Sequence, residues 1–261
     1  TIHSRDVLLD GESSTASIAS IVKAGATGNG GDISITANKL MKIVSGGSIN
    51  ASTYGQGDAG SLTLRAGDIL LDSQGSYFFT QFSTEVGYGV TGRGGDMSIM
   101  AEGALKVLNA GFINTSTWGQ GDAGDLAVNA GNVLIDGKTG YSVPVLMAGV
   151  GSTATGKGGN ISITTKENLE VINGGKIDVS TTGQGDAGNL FINSSEIILD
   201  GKGNSAKISA DVKKGATGNG CGMTISTSGS IQVIDGGTIS VSTSGQGDAG
   251  SLLVNSGDIL L

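Results

Sequence analysis

Apolar and polar residues alternate along this chain in short bursts, and each burst follows a glycine-rich corner. A period of two marks a strand with one buried face. Aligned on the corners, the first burst reads Ile33, Leu62, Met97, Leu126, Ile161, Leu190, Met223 and Leu252. Two residues on it reads Ile35, Leu64, Ile99, Val128, Ile163, Ile192, Ile225 and Val254. A second burst gives Met41, Leu105, Leu169 and Ile231 in alternate units, and Val7, Ile69, Val133, Ile197 and Ile259 in the others. A third, Ile49, Ile113, Ile177 and Ile239, is legible only in the first kind of unit. No helical period competes with this pattern.

The corners come in two kinds. "GQGDAG" begins at Gly55, Gly119, Gly183 and Gly245, with copies 64, 64 and 62 residues apart. Between them stand "TGNGGD" at Thr27, "TGRGGD" at Thr91, "TGKGGN" at Thr155 and "TGNGCG" at Thr217. Aligned together, they divide the chain into alternating steps of 29 and 33 to 35 residues. Like residues at like positions in a periodic chain predict stacked coils. The expected fold is therefore all-β: a single domain over 1–261, a parallel β-helix of about eight coils, alternately short and long. Its units are 28–91, 92–155 and 156–217, with partial units at both ends. Right-handed winding follows from the handedness of parallel crossovers. Coils ~4.8 Å apart would make a rod roughly 40 Å long. Because the chain opens and closes inside the repeat, it is expected to be a segment of something longer, and targeting signals are not to be looked for in it.

Composition narrows the function. The chain has 48 glycines, one proline and one cysteine, and a net charge of −8. That charge argues against nucleic acid, whose phosphates are met by Lys and Arg. A lone cysteine leaves no disulfide framework, and no apolar run is long enough for a spanning helix. The residue after each aligned corner glycine reads Asn29, Asp58, Arg93, Asp122, Lys157, Asp186, Asn219 and Asp248. Acids alternate with neutral or basic residues, which predicts a ladder of mildly favourable cross-strand charge pairs. A row of calcium sites on Asp58, Asp122, Asp186 and Asp248 is a weak competing reading. The tandem calcium-binding nonapeptides of β-helices carry an acid at every corner, and these corners do not. A phosphate loop would need its glycines to open a helix, and none follows.

Taken together, "GxG(N/D)(A/G)G(N/S)LxL", "AGxIxLDG", "TGxGG" and "GGxIxxST" resemble the repeats of the filamentous-haemagglutinin-like exoproteins of two-partner secretion. The resemblance covers essentially the whole chain. It implies an extracellular, cell-surface adhesin or filament shaft, exported through a partner outer-membrane pore, with no cofactor and no catalysis. Exposed coil edges predict self-association end to end and an apolar flank predicts lateral packing, while variable long-coil loops would contact host or environmental glycans or proteins.

Individual function should sit where the repeat breaks, in the long coils after "LLDG". Tyr77, Phe78, Phe79, Phe82 and Tyr88 cluster in one such stretch, and Tyr141 and Met147 in the next. They predict an apolar contact patch, against the plainer reading of a satellite core. Tyr54 and Trp118 precede two of the "GQGDAG" corners and could stack on a sugar ring or shield the corner. A polysaccharide-processing enzyme would need charged groups gathered on one groove, whereas the acids here recur once per unit. Ice binding would use the aligned pairs Ser52-Thr53, Ser116-Thr117, Ser180-Thr181 and Ser242-Thr243. Cys221 stands where the other corners have glycine, as a small-residue substitution.

Overall fold

The computed structural model describes residues 1–12, 14–137 and 142–261, and among these the chain has strands and turns but no helix. The first five coils each contain a long strand and a short one. They are β1 (Ile2–Asp10) and β2 (Ala16–Ala19), β3 (Ile33–Val44) and β4 (Gly47–Asn50), and β5 (Leu62–Asp72) and β6 (Thr80–Ser83). Next come β7 (Met97–Leu108) and β8 (Gly111–Asn114), then β9 (Leu126–Asp136) and β10 (Val145–Met147). From there the long strand divides. The sixth coil has β11 (Ile161–Thr165), β12 (Asn168–Ile172) and β13 (Lys176–Asp178), and the seventh β14 (Leu190–Ser194), β15 (Glu196–Asp200) and β16 (Lys207–Ser209). The eighth has β17 (Met223–Thr227), β18 (Ser230–Ile234) and β19 (Thr238–Ser240), followed by β20 (Leu252–Asn255) and β21 (Asp258–Leu260). Every pairing is parallel and joins one coil to the next, giving a β-solenoid of about eight turns.

The registers reproduce the apolar columns. Ile33 pairs with Leu62, Leu62 with Met97 and Met97 with Leu126. Ile35, Leu64, Ile99, Val128 and Ile163 point into one continuous core and are essentially solvent-free. Burial of this kind is worth about 1.5–3 kcal/mol per side chain before chain entropy is subtracted. No coil could retain such residues alone, so the stack is the unit of stability.

The third strand is present in every full coil. Between Ile49, Ile113, Ile177 and Ile239 the long coils insert Phe82, Leu146 and Ile208, all fully buried. The first two strands of a coil also differ from three separate segments, because in the first five coils they run on as one. A bulge reconciles their lengths: Ala37 to Leu40 takes three steps where its partner, Ala66 to Asp68, takes two. Each bulge exposes a backbone N–H that an acid or amide from the preceding long coil accepts. Asp6 takes that of Leu40 at 3.2 Å, Asp68 that of Ala104 at 2.8 Å and Asn132 that of Asn168 at 3.1 Å.

The corners explain their own composition. A Cβ placed on Gly57, Gly92, Gly121, Gly156, Gly185, Gly218 or Gly247 would overlap the carbonyl of the glycine one coil earlier. Gly28, first of that column, has nothing within 4 Å of the same position. None of these glycines has positive φ. Close backbone approach between coils therefore demands glycine here, rather than left-handed geometry. Cys221 occupies the neighbouring glycine column, and nothing in the structure explains why a side chain is tolerated there. Burial pushes its thiol pKa up.

Ser-Thr before "GQGDAG" has a structural role too. Thr53, Thr117 and Thr181 are buried, and each donates its hydroxyl across the corner to the carbonyl of Gly57, Gly121 or Gly185 at 2.6 to 2.7 Å. In the long coils Val22, Val86, Val150 and Val212 bridge to them at the same position, so β-branched residues of one shape form the whole column. With Ser52, Ser116 and Ser180 also buried, these pairs present no flat array to water, as an ice-binding surface would require.

The acid column is held differently from the expected charge ladder. Among the described residues four ion pairs form, and none lies along it. Instead each side-chain oxygen accepts the backbone N–H of the same position in the next coil: Asn29 from Asp58, Asp58 from Arg93, Asp122 from Lys157, Asp186 from Asn219 and Asn219 from Asp248, at 2.8 to 3.1 Å. A second column three residues on works alike, with Asp32 accepting from Ser61, Asp96 from Asp125 and Asp125 from Asn160. Asp and Asn are chosen because they are short acceptors. Arg93 and Lys157 lie in coils where the column has no such acceptor to offer, and their charge is incidental to the stacking.

Candidate functional site

The corner acids do not converge. Asp58, Asp122 and Asp186 each spend a carboxylate oxygen on the next coil, and consecutive acids are two coils apart. Among the described residues no group of three His, Cys, Asp or Glu side chains could hold a metal ion. The geometry of this column is that of a stacking device.

A different face gathers chemistry. The outward positions of β6, β8 and β10, with the segments that follow them, form a groove of about 470 Å³. Tyr54, Phe79, Tyr88, Phe112 and Trp118 supply its aromatic walls, Met147 closes one end, and Gln81, Glu85 and Asn114 are its polar groups. Tyr54 and Trp118 have room because the next coil carries glycine beneath each ring: a Cβ on Gly87 would strike Tyr54, and one on Gly151 would strike Trp118. Tyr88 and Trp118 pack with ring centroids 5.2 Å apart, tilted by 38°, and Phe79 meets Phe112 edge to face at 5.5 Å. Such contacts fix the rings relative to one another.

Among the described residues Glu85 is the one carboxylate of the groove, and it lies half-buried. Tyr54 donates its hydroxyl to one oxygen at 2.8 Å, and the Asn114 amide donates to the other at 2.5 Å. Burial raises the Glu85 pKa despite the opposing influence of Tyr54, Asn114 and Trp118. Tyr54 responds in kind: burial, then the neighbouring Glu85 charge, pushes its phenol up to about 12. Both effects record a negative charge set among rings and neutral donors.

Along the same face the groove continues into a smaller cleft of about 120 Å³ that shares Trp118 and Met147 and reaches Asp178 and Lys213. Lys213 Nζ lies 2.7 Å from Asp178, and Lys207 Nζ 2.7 Å from Asp211. Asp211 also accepts from Ser240 and Ser242. Burial opposes ionisation of both acids, but their lysines and hydroxyl partners win and hold them below the usual carboxylate range.

The predicted contact residues separate. Tyr77, Phe79 and Tyr88 are 85%, 66% and 69% exposed, Phe78 and Tyr54 less so. Trp118 and Met147 are half-buried in the groove walls. Phe82 is corrected: it is wholly buried as the third-strand core residue of its coil, because strand alternation turns it inward. Tyr141 lies outside the described residues. The expected patch is thus an outer rim of rings around a groove whose floor was not foreseen. Sequence alone does not mark this floor: Glu85 and Asp211 lie in variable long-coil stretches, and Asn114 and Asp178 in the repeated "GGxIxxST" stretch. Aligning long coils on Val86, Val150 and Val212 would have found Glu85 and Asp211 in one column. No protein-family model, curated protein sequence or solved structure matches the chain.

Proposed function

We propose that the chain is an adhesive shaft of a secreted bacterial surface protein or extracellular filament, making its contacts through the long-coil flank. The observation that carries this reading is the division of labour between faces. Corner side chains are spent on coil-to-coil hydrogen bonds, while exposed rings collect on one flank around a groove. Export through a partner outer-membrane pore belongs to the same proposal and rests on the resemblance of the repeats.

Retention of fluorescently labelled protein on a panel of cell surfaces tests it. A variant with Tyr77, Phe78, Phe79 and Tyr88 all changed to Ser should keep the circular dichroism of the parent, since these rings lie outside the core. It should lose most of the retention. Undiminished retention would remove the flank from the account of adhesion. The shaft itself is tested by light scattering and electron microscopy. Edges of a parallel solenoid can pair with the edges of other copies, so concentrated protein should self-associate. A protein that stays monomeric at high concentration would refute that part.

A further inference from the structure

We propose that the Glu85 groove binds an organic ammonium cation, a quaternary or fully alkylated ammonium group whose charge completes an ion pair that the protein supplies for itself elsewhere on this face. The inference rests on the reading of this flank as a contact surface and names the chemistry it takes.

The repeat provides its own control. The isolated bridges run from Val86 through Thr117, Val150 and Thr181 to Val212, so Glu85 and Asp211 occupy one column two long coils apart. Third-strand registers likewise carry Gln81 through Phe112, Val145 and Lys176 to Lys207. At Asp211 the acid has Lys207 on it, and Lys213 and Lys214 follow in sequence, with Lys213 pairing Asp178. At Glu85 the three lysine positions are Gln81, Gly87 and Tyr88. The next coil changes in step: Thr238 and Ser244 beside Asp211 become Phe112 and Trp118 beside Glu85. Around one acid the fold places cations and hydroxyls. Around the other it places rings and neutral amides.

An acid kept in such surroundings is costly unless a positive charge meets it. Among the described residues no Lys, Arg or His nitrogen comes within 4.0 Å of Glu85, so the structure itself provides none. Aromatic faces attract a cation placed within about 6 Å of the ring centre, most of all one that is weakly hydrated. A quaternary ammonium group fits both demands, since it loses little hydration on entering and needs no hydrogen-bond acceptor. Sodium would have to shed tightly held water for rings that cannot replace it. A neutral sugar could stack on Tyr54 or Trp118, but it would leave the Glu85 charge uncompensated.

Trp118 is the only tryptophan of the chain and lines the groove, so its emission reports occupancy directly. Choline and tetramethylammonium chlorides are titrated at neutral pH and constant ionic strength, beside the neutral tert-butyl analogue of choline and sodium chloride. Saturable changes are expected with both ammonium salts and at least tenfold weaker binding of the neutral analogue. Glu85→Gln should erase that preference. Gln81→Lys should suppress choline binding at least tenfold by restoring the internal pair, while an unchanged circular dichroism spectrum shows that the coil persists. A flat titration with both ammonium salts overturns the proposal, as does equal binding of choline and its neutral analogue. A saturable response to neutral oligosaccharides alone overturns it as well, in favour of a sugar site. Surface retention, read separately with the four-ring variant, distinguishes failure of this chemistry from failure of the flank as a contact surface.

Discussion

Gly121→Ala should destabilise the protein while Gly28→Ala does not, although both residues hold the same aligned glycine position of a corner. At Gly121 a methyl group would overlap the carbonyl of Gly92, and backbone cannot swing aside as a flexible side chain could. The two coils would have to separate locally, against the hydrogen bonds from Gly121 N to Val90 O and from Gly94 N to Asp122 O that hold the corner. Overpacking of this kind costs about 1–3 kcal/mol, and a site walled by backbone belongs at the upper end. Gly28 has nothing within 4 Å and no positive φ, so alanine there should be neutral or stabilise by roughly 0.4–1 kcal/mol through the unfolded chain. With a urea m-value of about 3 kcal/mol/M, the first change moves the midpoint down by up to ~1 M and the second leaves it level or slightly higher. Stacked repeats can unfold in parts, so hydrogen exchange of the Val90–Leu126 amides should accompany the melt to show where protection is lost. Equal midpoints for the two variants would refute the claim that coil contact, rather than turn conformation, dictates these glycines.

Thr181→Val preserves shape but strips the Gly185 carbonyl of its donor, and chemical denaturation should show a loss of about 1–3 kcal/mol, with Val150→Thr failing to compensate. Phe82→Ala should cost about 3–5 kcal/mol on the same assay, while Phe79→Ala, largely exposed, stays within about 1 kcal/mol of the parent. Asp178 and Asp211 have pKa values lowered in the fold, so their stabilisation is present above the unfolded carboxylate range and lost as pH falls through the folded values. Lys213→Met should shrink that acid-side dependence, by on the order of 1 kcal/mol because the lysine is partly exposed. The choline response should decline on acidification through the raised Glu85 range, since cation binding needs the carboxylate. Tyr54 stays protonated throughout, its pKa being about 12, and a pH-independent response would count against Glu85 as the partner.

The solenoid was legible because its cause is periodic. Columns such as Ile35, Leu64 and Ile99 need only alternation and a corner to be found, and the registers match them. Ile18, Phe82, Leu146 and Ile208 do not read as a column because the long coils vary in length just before them, which shifts each away from its fellows when counted from the preceding corner. Phe82 then looked like one more ring of an exposed cluster. The acid column was seen but given the wrong cause. Charge is visible in sequence, whereas the partner of Asp58, a backbone N–H at Arg93, has no letter of its own. The groove was half legible. Its rim was marked by aromatic letters, but the floor depends on which residues lie one and two coils away, and Glu85 stands out only against Asp211.

The side-chain ladders at the corners also have a direction. In every rung an oxygen from the earlier coil takes an N–H from the later one, from Asn29 and Asp58 onward to Asn219 and Asp248. Each coil therefore offers acceptors to the coil that follows and donors to the coil that precedes, so a coil edge does not match an identical edge. Copies joining by this rule must all point the same way, and such heterologous contact never closes on itself. Whatever lengthens this rod gives it a head and a tail, and its aromatic grooves would all face the same direction along the fibre.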